Sequence, residues 1–260
     1  MEDIKVSLIT ISYNSSSCIE NAIKSVFAQD YGNIEYIIVD GGSTDSTMDI
    51  INKYRDKIAK IVSEPDRGIS DAFNKGIAMA TGKLIGIVNS DDKLIEGAIS
   101  NLVSEYEEGI DIYRGNQLIQ NPGSNTLFRE KPSMKFSTTP VFVSVSHGST
   151  FVTKEAYRKY GTYDIKMKYA MDLDFLIRSY KMGARMKYIN HDMEIFSTGG
   201  ATSTPLKKKK SELLYLAKKN GASTIHAYGF YLAMKMVDWG KSALDQLDPE
   251  LKKKLRMKKL

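Results

Sequence analysis

The segment VSLITISYN, residues 6–14, begins with apolar and β-branched residues and ends in three polar ones. Similar apolar runs recur at residues 36–39, 58–62 and 84–88, separated by segments with helical periodicity. Intervals of roughly 20–30 residues fit strand–helix–strand crossovers, which give parallel strands covered by helices. The amino-terminal part therefore predicts an α/β fold with a mainly parallel central sheet.

The pattern changes after residue 92. A helix at residues 96–107 precedes shorter apolar runs joined by turns, which indicate a small antiparallel addition to the sheet. Up to residue 107, four helices are predicted, at residues 18–29, after residue 45, at 70–80 and at 96–107. Beyond residue 107, strands are predicted at 110–118, 141–145, 149–153 and 185–189, and helices at 154–159 and 172–182. A turn is predicted at 121–125 and a loop at 196–205.

Charge is unevenly distributed along the 260 residues, although the net charge is only +6. Residues 201–260 carry 14 Lys and Arg against 5 Asp and Glu, so the rest of the chain is slightly acidic. Helices are predicted there at 211–220 and 224–247. A basic helical tail of this kind indicates an anionic partner.

Several classes of protein are excluded by composition. The single cysteine, Cys18, rules out a disulfide framework and a Cys-based zinc site, and three histidines disfavour a His-rich metal site. No run approaches 18 apolar residues, and the charged start lacks the features of a signal peptide. The sequence therefore predicts a reduced, cytoplasmic protein.

Polar and acidic residues follow each predicted parallel strand, at residues 12–14, 40–45, 64–68 and 89–92. Ligands of parallel α/β sheets bind beyond the carboxyl ends of the strands. Such residues are also common in turns and helix caps. Their recurrence at one edge of the sheet nevertheless favours a binding site.

Two adjacent carboxylates, Asp91 and Asp92, end the fourth strand. They repel each other unless a cation lies between them, and Mg²⁺ or Mn²⁺ with oxygen ligands meets that need. Because such an ion completes its shell with water and phosphate oxygens, the pair predicts a phosphate-bearing ligand. Helix capping by Asp92, with a solvated Asp91, is the alternative.

Asp40 and Tyr13 suit a nucleotide base. A carboxylate just past a strand accepts a hydrogen bond from a base imide or a ribose hydroxyl, and an aromatic ring stacks on the base. The three spaced glycines of a dinucleotide-binding loop are absent, as is the Walker A sequence. The residues favour a nucleotide pocket unlike those of NAD, FAD or P-loop proteins.

Four ordered motifs carry a resemblance to a known family: residues 6–14, 39–45, 64–76 and 89–92. They resemble the signatures of family 2 glycosyltransferases with the GT-A fold, most closely the colanic-acid and O-antigen type of bacterial polysaccharide enzymes. The resemblance covers about residues 4–200. It implies inverting transfer of a sugar from a nucleotide-diphosphate donor, usually a UDP-sugar, to an acceptor hydroxyl, with Mn²⁺ or Mg²⁺ as cofactor.

The resemblance also implies roles for individual residues. Tyr13 and Asp40 would hold the base, Asp91 the ribose or the metal, and Asp92 the metal that bridges the diphosphate. Phe73 departs from the family, because many relatives have Arg there, and Arg67 is the candidate to replace that cation. The remaining donor-binding positions are Thr10, Ser12, Glu64, Asp66, Asp71, Asn74 and Ser90.

The family's general base lies in an acidic motif that opens a helix. Asp172 occupies that position here, and Met171 replaces the more common acidic neighbour. The alternative for Asp172 is helix capping, and Asp174 suits a first-turn acid favoured by the helix dipole. His147 matches a position where relatives often carry His. We expect His147 and His191 to contact a phosphate or the acceptor sugar, and His191 is also a candidate metal ligand.

By this resemblance, residues 1–205 form the GT-A catalytic domain, with a donor half at 1–92 and an acceptor half at 93–205. Residues 206–260 form a basic helical extension. In that extension, apolar residues with helical spacing lie between basic clusters at 207–210 and 251–260; they are Ile225, Tyr228, Leu232, Met236 and Trp239.

This pattern predicts peripheral contact with the inner face of the cell membrane, which suits an acceptor that is a lipid-linked sugar or a growing glycan. Packing onto the catalytic domain, or onto a second subunit in a homodimer, is the alternative.

Other functions fit the sequence less well. Nucleic-acid binding through the tail lacks a recognised motif and an aromatic–basic stripe elsewhere. A sugar-phosphate nucleotidyltransferase would need a Gly-rich first loop with Arg and Lys, whereas the first strand ends in Ser-Tyr-Asn. A protein that binds a nucleotide without turnover would lack the metal carboxylates or the base, and both Asp92 and Asp172 are present.

Overall fold

The computed structural model describes residues 3–120, 126–136, 145, 147–198 and 206–245. The described residues up to 198 form one compact unit, and residues 206–245 belong to a second. The predicted turn at 121–125 lies outside the described residues, as do most of the predicted strand at 141–145 and most of the predicted loop at 196–205.

Four parallel strands form the first half of the sheet, in the order β3-β2-β1-β4. They and the helices between them are β1 (Val6–Ser12), α1 (Ile19–Phe27), β2 (Ile34–Asp40), α2 (Thr47–Asn52), β3 (Lys60–Ser63), α3 (Ile69–Met79) and β4 (Leu84–Ile87). Nearly every residue of β1 and β2 is buried, as expected where helices cover both faces of a sheet. The parallel α/β prediction is confirmed.

The second half of the sheet is mixed and continues in the order β8-β6-β9-β5, with β7 beside β6. Its elements are β5 (Lys93–Leu94), α4 (Ala98–Ser104), β6 (Ile112–Gln120), β7 (Leu127–Glu130), β8 (Thr150–Thr153), α5 (Lys154–Tyr160), α6 (Met171–Lys181) and β9 (Met186–Ser197). β8 pairs antiparallel with both β4 and β6, whereas β6 and β9 run parallel. The antiparallel addition is therefore confirmed.

Strand β9 is longer than the strand predicted at 185–189, and it includes Phe196 and Ser197, which the sequence assigns to a loop. The extension follows from its partner, because β6 offers hydrogen bonds along its whole length, up to the pair Gln120–Ser197. The register of the two strands shifts around Asn116.

Apolar side chains fill both faces of the sheet. On one face, the ring of Phe27 in α1 meets Tyr36 of β2 edge-on, with ring centroids 5.7 Å apart. On the other face, α3 lies directly on β1 because residue 76 is glycine: a Cβ there would be 2.4 Å from Cγ2 of Ile9. The two layers hold the strands rigidly beneath the loops that follow them.

Glu35 is a buried carboxylate at the amino ends of the parallel strands. It accepts hydrogen bonds from Ser7 Oγ at 2.6 Å, Thr81 N at 2.7 Å and Lys60 Nζ at 3.1 Å. Burial opposes its charge, but these donors lower the pKa of Glu35 to about 2. This carboxylate therefore ties together β1, β2, β3 and the turn before β4.

The second unit contains α7 (Leu206–Lys219) and α8 (Thr224–Asp245), joined at Gly221, whose φ is +87°. The two helices pack together, with Lys210 Nζ 5.3 Å from the ring centre of Tyr228. Helix α7 begins five residues before the predicted start at 211, because lysine is a good helix former and the run at 207–210 continues the helix. Among the described residues, no helix combines the length and hydropathy that a membrane span requires.

Candidate functional site

The ends of β1, β2 and β3 lie side by side at the carboxyl edge of the sheet. The register pairs Ser12 with Asp40, and Asp40 with Ser63. Because the strands are parallel, the loops that follow them emerge from the same edge. The polar segments that the sequence places after successive strands are therefore brought together.

Asp40 is fully buried and anchors the loop that follows β2. Its two oxygens accept five hydrogen bonds, from the hydroxyls of Ser12, Ser43 and Ser63 and the N–H groups of Gly42 and Ser43, at 2.5–3.1 Å. Burial opposes its charge, but these donors hold the pKa of Asp40 below its usual value. Asp40 thus orders the loop, and its predicted contact with a base stays a prediction.

An exposed surface lies above this anchor. The Tyr13 side chain is 64% exposed. A Cβ on Gly41 would lie 2.4 Å from Oδ2 of Asp66 and 3.5 Å from the Tyr13 ring, so only glycine allows these groups to approach so closely. Tyr13, Gly41 and Asp66 form one surface, which we call the base platform.

The segment after β3 is held by ion pairs and hydrogen bonds. Arg67 Nη2 lies 2.9 Å from Oδ1 of Asp71, and Lys75 Nζ lies 2.7 Å from Oε1 of Glu64. The Arg67 side chain is 73% exposed, so a ligand approaching this face can reach its guanidinium.

Three predicted donor-binding residues make contacts within the protein, and their predicted contact with the donor stays a prediction. Thr10 is fully buried and accepts a hydrogen bond from the Tyr36 hydroxyl at 2.9 Å. The Asn74 amide bonds to the main chain of Tyr163 through both its nitrogen and its oxygen. Ser90 donates to the hydroxyl of Ser15 at 3.0 Å. The structure places these three side chains where they support the edge.

The adjacent carboxylates after β4 have different surroundings. Asp91 is half-buried, whereas Asp92 is 1% exposed. Oδ1 of Asp92 accepts a hydrogen bond from Ser197 N at 2.9 Å, and Oδ2 accepts one from the Asn89 amide at 2.9 Å. Asp92 therefore joins the end of β4 to the end of β9. Burial, together with the charge of Asp91, raises the pKa of Asp92.

Metal binding by Asp91 and Asp92 stays a prediction. Among the described residues, no three His, Cys, Asp or Glu side chains are arranged to hold an ion together. Two neighbouring carboxylates, completed by water and diphosphate oxygens, are the usual surroundings of Mg²⁺ or Mn²⁺ at a nucleotide site. His191 lies in β9 at the register shift and belongs to no metal-holding cluster within the described ranges.

A second group of residues lies past the end of β4, where β8 begins. Asp172 is in the first turn of α6, whose N-cap is Ala170, so Asp172 does not cap the helix. Its Oδ1 accepts a hydrogen bond from Leu173 N at 2.7 Å, and its Oδ2 lies 4.0 Å from Nδ1 of His147. Asp172, His147 and Thr150 line one small pocket.

His147 is held in this pocket as a neutral ring. It lies against Phe73, with ring centroids 4.8 Å apart, and no residue that the structure describes forms a hydrogen bond with its buried Nε2. Burial lowers the pKa of His147 to about 4. Phe73, which occupies the position of a common family arginine, thus packs into the pocket beside Asp172.

Comparison with known proteins identifies the family. The family model described as glycosyl transferase family 2 matches residues 7–193, which is most of the chain. The chain belongs to glycosyl transferase family 2. The sequence resemblance to this family is confirmed.

Curated relatives agree with this assignment. An uncharacterized glycosyltransferase of Rickettsia prowazekii is 31% identical over 211 residues, 76% of this chain and 65% of the relative. A PGL/p-HBAD biosynthesis glycosyltransferase of Mycobacterium bovis is 25% identical over 224 residues, 83% of this chain and 86% of the relative. The chain spans somewhat less than two thirds of the length of the Rickettsia prowazekii relative.

Solved structures show the same fold at low sequence identity. Staphylococcus aureus TarS, residues 1–349 in complex with UDP-GlcNAc, has a TM-score of 0.68 and 18% identity, over 86% of this chain and 69% of TarS. The mannosyltransferase PcManGT from Pyrobaculum calidifontis, in complex with GDP-Man and Mn²⁺, has a TM-score of 0.62 and 17% identity, over 89% and 69%. The family 2 chain therefore has the GT-A fold of nucleotide-sugar transferases.

Two charged residues of this family 2 chain, Glu194 and Arg114, are not among the site residues predicted from the sequence. Glu194 in β9 is 1% exposed, and its carboxyl group lies against that of Asp92. Burial and the adjoining Asp92 raise its pKa well above the usual value. A Cβ on Gly148 would lie 1.8 Å from Oε1 of Glu194, so glycine makes room for this carboxyl. The signal in the sequence is an acid between Met193 and Ile195, within an apolar run.

The other is Arg114 in β6, which is fully buried. Its Nε donates to Thr150 Oγ1 at 3.2 Å, and its guanidinium lies 5.5 Å from the ring centre of Phe136. Burial lowers the pKa of Arg114 to about 10, while the charge of Asp172 acts in the opposite direction. A cation therefore faces the pocket of Asp172 from the sheet, and its sign in the sequence is an arginine directly after Ile112 and Tyr113 in a predicted strand.

Proposed function

We propose that this chain transfers a sugar, with inversion at the anomeric carbon, from a UDP-sugar to the hydroxyl of a lipid-linked sugar or a growing glycan. One observation carries the proposal. In a family 2 chain, the strand order brings the base platform, the Asp91–Asp92 pair and the Asp172 pocket to the same edge of one sheet. These are the parts that binding a nucleotide sugar and activating an acceptor require.

The base platform supports the donor half of the proposal. An exposed Tyr13 ring is available to stack on a base, and Asp66 lies beside it to accept a hydrogen bond from a base N–H. Asp40 supports this surface from below through its five hydrogen bonds. We assign residues 1–92 to donor binding and residues 93–205 to acceptor binding.

Asp91 and Asp92 would hold Mg²⁺ or Mn²⁺, which when bound neutralises the charge that develops on the departing diphosphate. Arg67, exposed at the same edge, adds a positive charge that can reach a phosphate oxygen. This arginine is the proposed replacement for the family cation that Phe73 displaces.

Asp172 is the proposed general base. It removes the acceptor hydroxyl proton while the acceptor oxygen bonds to the anomeric carbon and the bond to the diphosphate oxygen breaks, in a single inverting displacement. The charge of Asp172 favours the protonated form of the buried Arg114, so a cation faces the proposed base. Neutral His147, 4.0 Å from Asp172, limits the directions in which the carboxylate can turn.

Calorimetric titration with UDP, GDP and dTDP, with and without Mn²⁺, tests the donor half. We expect UDP to bind most tightly, to need Mn²⁺, and to lose most of its affinity in Asp92→Ala. Tyr13→Ala should weaken nucleotide binding by roughly tenfold, since stacking on an aromatic ring contributes about 1–3 kcal/mol per base. Asp56→Asn, an exposed acid after α2, is the matched control and should bind like the unaltered protein.

Melting curves of each variant establish that it is folded. Folded protein that binds none of the three nucleotides would refute the proposal. Nucleotide binding that is equally tight without Mn²⁺ and in Asp92→Ala would refute the assigned metal site.

A further inference from the structure

Helix α8 presents an apolar face to solvent. Ile225 is 84% exposed, Tyr228 44%, Leu232 58% and Met236 73%. Their spacings of three and four residues place all four on one side of the helix. The opposite side contains Ala227 and Tyr231, which are buried. We call the four exposed residues the α8 stripe.

The α8 stripe is unusual for the surface of a soluble unit. Single exposed apolar residues are common, but a continuous row over three helical turns marks an interaction surface. A helix that faces water normally turns its polar residues outward. Here large apolar side chains face outward although the buried side of the helix is already packed.

The surface of α7 and α8 is rich in lysine. Lys207, Lys208 and Lys218 of α7 and Lys235 of α8 are exposed, and Lys210 Nζ of α7 lies 5.3 Å from the ring centre of Tyr228 in the stripe. Residues 224–237 include no acidic residue, and residues 201–260 have a net charge of +9. An apolar stripe with lysines beside it matches a surface that is apolar at depth and anionic at its boundary.

We propose that the α8 stripe docks on a bilayer containing anionic lipids. The four side chains enter the boundary between headgroups and acyl chains, and the lysines contact lipid phosphates. A second copy of the chain fits less well, because it would bring together two units of the same high positive charge. Nucleic acid would use the lysines and leave the aliphatic side chains in water. The inference stands on the second unit alone and does not depend on the proposed reaction.

Flotation of the full-length chain with lipid vesicles tests the inference. Vesicles of phosphatidylcholine alone are compared with vesicles that also contain phosphatidylglycerol. We expect the protein to float with the anionic vesicles and to remain unbound with the neutral ones. Raised salt should release it, since screening weakens attraction between lysines and headgroups.

Two variants separate apolar insertion from charge. Leu232→Gln combined with Met236→Gln leaves the net charge unchanged and should lower the vesicle-bound fraction by roughly tenfold. Ala233→Gln introduces the same group next to the stripe and should bind vesicles as the unaltered chain does. Nucleotide titration of the same variants should show unaltered binding, so that a failure of the donor site is recognised separately.

Three results would overturn the inference. They are failure of the unaltered chain to float with anionic vesicles, equal flotation with both kinds of vesicle, and undiminished flotation of the double glutamine variant. Sedimentation is run in parallel, and a dimer that dissociates in the double variant while vesicle binding is absent would identify a second copy as the partner.

Discussion

Buried carboxyl groups lie at both ends of the parallel strands, and their surroundings differ. At the amino ends, Glu35 receives hydrogen bonds from Ser7, Thr81 and Lys60, and its pKa is lowered to about 2. Beyond the carboxyl ends, Asp92 and Glu194 adjoin each other, and burial raises the pKa of both. The fold supplies the first carboxylate with donors, whereas the second pair can be accommodated only with a proton or a cation between its members.

This difference separates stability from function within one sheet. A buried carboxylate supplied with donors stabilises the folded state, whereas carboxylates that face each other destabilise it until a cation or a proton arrives. The amino edge is therefore expected to carry stability, and the carboxyl edge to carry chemistry. Substitutions of the buried acids at the two edges should therefore change the free energy of unfolding in opposite directions.

The largest expected effect is on turnover. Asp172→Asn should reduce sugar transfer by about 10²–10⁴-fold, because an amide cannot accept the acceptor proton. Nucleotide affinity and melting temperature should change little, since Asp172 lies in the pocket away from the base platform. Rates at saturating donor, with nucleotide titration alongside, measure the two separately.

Asp174→Asn is the matched control for that experiment. Asp174 lies two residues further along α6 and pairs with Arg178 Nε at 3.6 Å. Its loss should lower stability while the folded protein retains its turnover. Equal losses of turnover in the two variants would contradict the role of Asp172.

The second largest effect is on the free energy of unfolding, and its sign should differ between the two edges of the sheet. Glu35→Gln should lower the free energy of unfolding at pH 7 by about 3 kcal/mol, because a carboxylate of lowered pKa loses its charged hydrogen bonds. Glu194→Gln should leave stability unchanged or raise it by about 1 kcal/mol, because it removes a carboxyl that must take up a proton or be buried as an anion beside Asp92 when the chain folds. Urea unfolding without added metal measures both. Destabilisation of similar size in both variants would remove the distinction between the edges.

The smallest expected effect is on how the stability of the folded chain depends on pH. The pKa of His147 is about 4 in the folded chain and 6.5 without burial, so the unfolded chain binds more protons between these values. The contribution of His147 to stability should therefore fall by about 2.5 kcal/mol as the pH drops from 6.5 to 4, whereas the raised pKa values of Asp92 and Glu194 act in the opposite direction over this range. His147→Asn should flatten that part of the profile. The contribution of Glu35 is lost at lower pH, between about 4.5 and 2. An unchanged slope in His147→Asn would show that other groups control this window.

Much of the first half of the molecule can be predicted from sequence. In parallel strands, apolar runs alternate with helices, and the residue after each run falls at one edge, so the positions of Tyr13, Asp40 and Asp91 follow from pattern alone. The second half is harder, because β6, β8 and β9 pair across long separations in sequence. The length of β9 depends on its partner β6, which no local pattern reveals.

Hydrogen-bond partners and burial were also beyond the sequence. A carboxylate after a strand indicates a site, but it does not reveal that Asp40 is fully engaged by its own loop or that Asn74 supports Tyr163. Glu194 and Arg114 are buried within strands, where charge is uncommon and where its purpose depends on residues distant in sequence. The role of Glu194 follows from its contact with Asp92, and that of Arg114 from its electrostatic interaction with Asp172.

The loop anchored by Asp40 has a kinetic consequence. A loop already fixed by five hydrogen bonds retains little conformational entropy to lose. A nucleotide that binds the base platform as proposed would meet a surface that is assembled beforehand, so its association would be limited by diffusion and desolvation rather than by loop ordering. Discrimination among nucleotides would then reside mainly in how long each one stays.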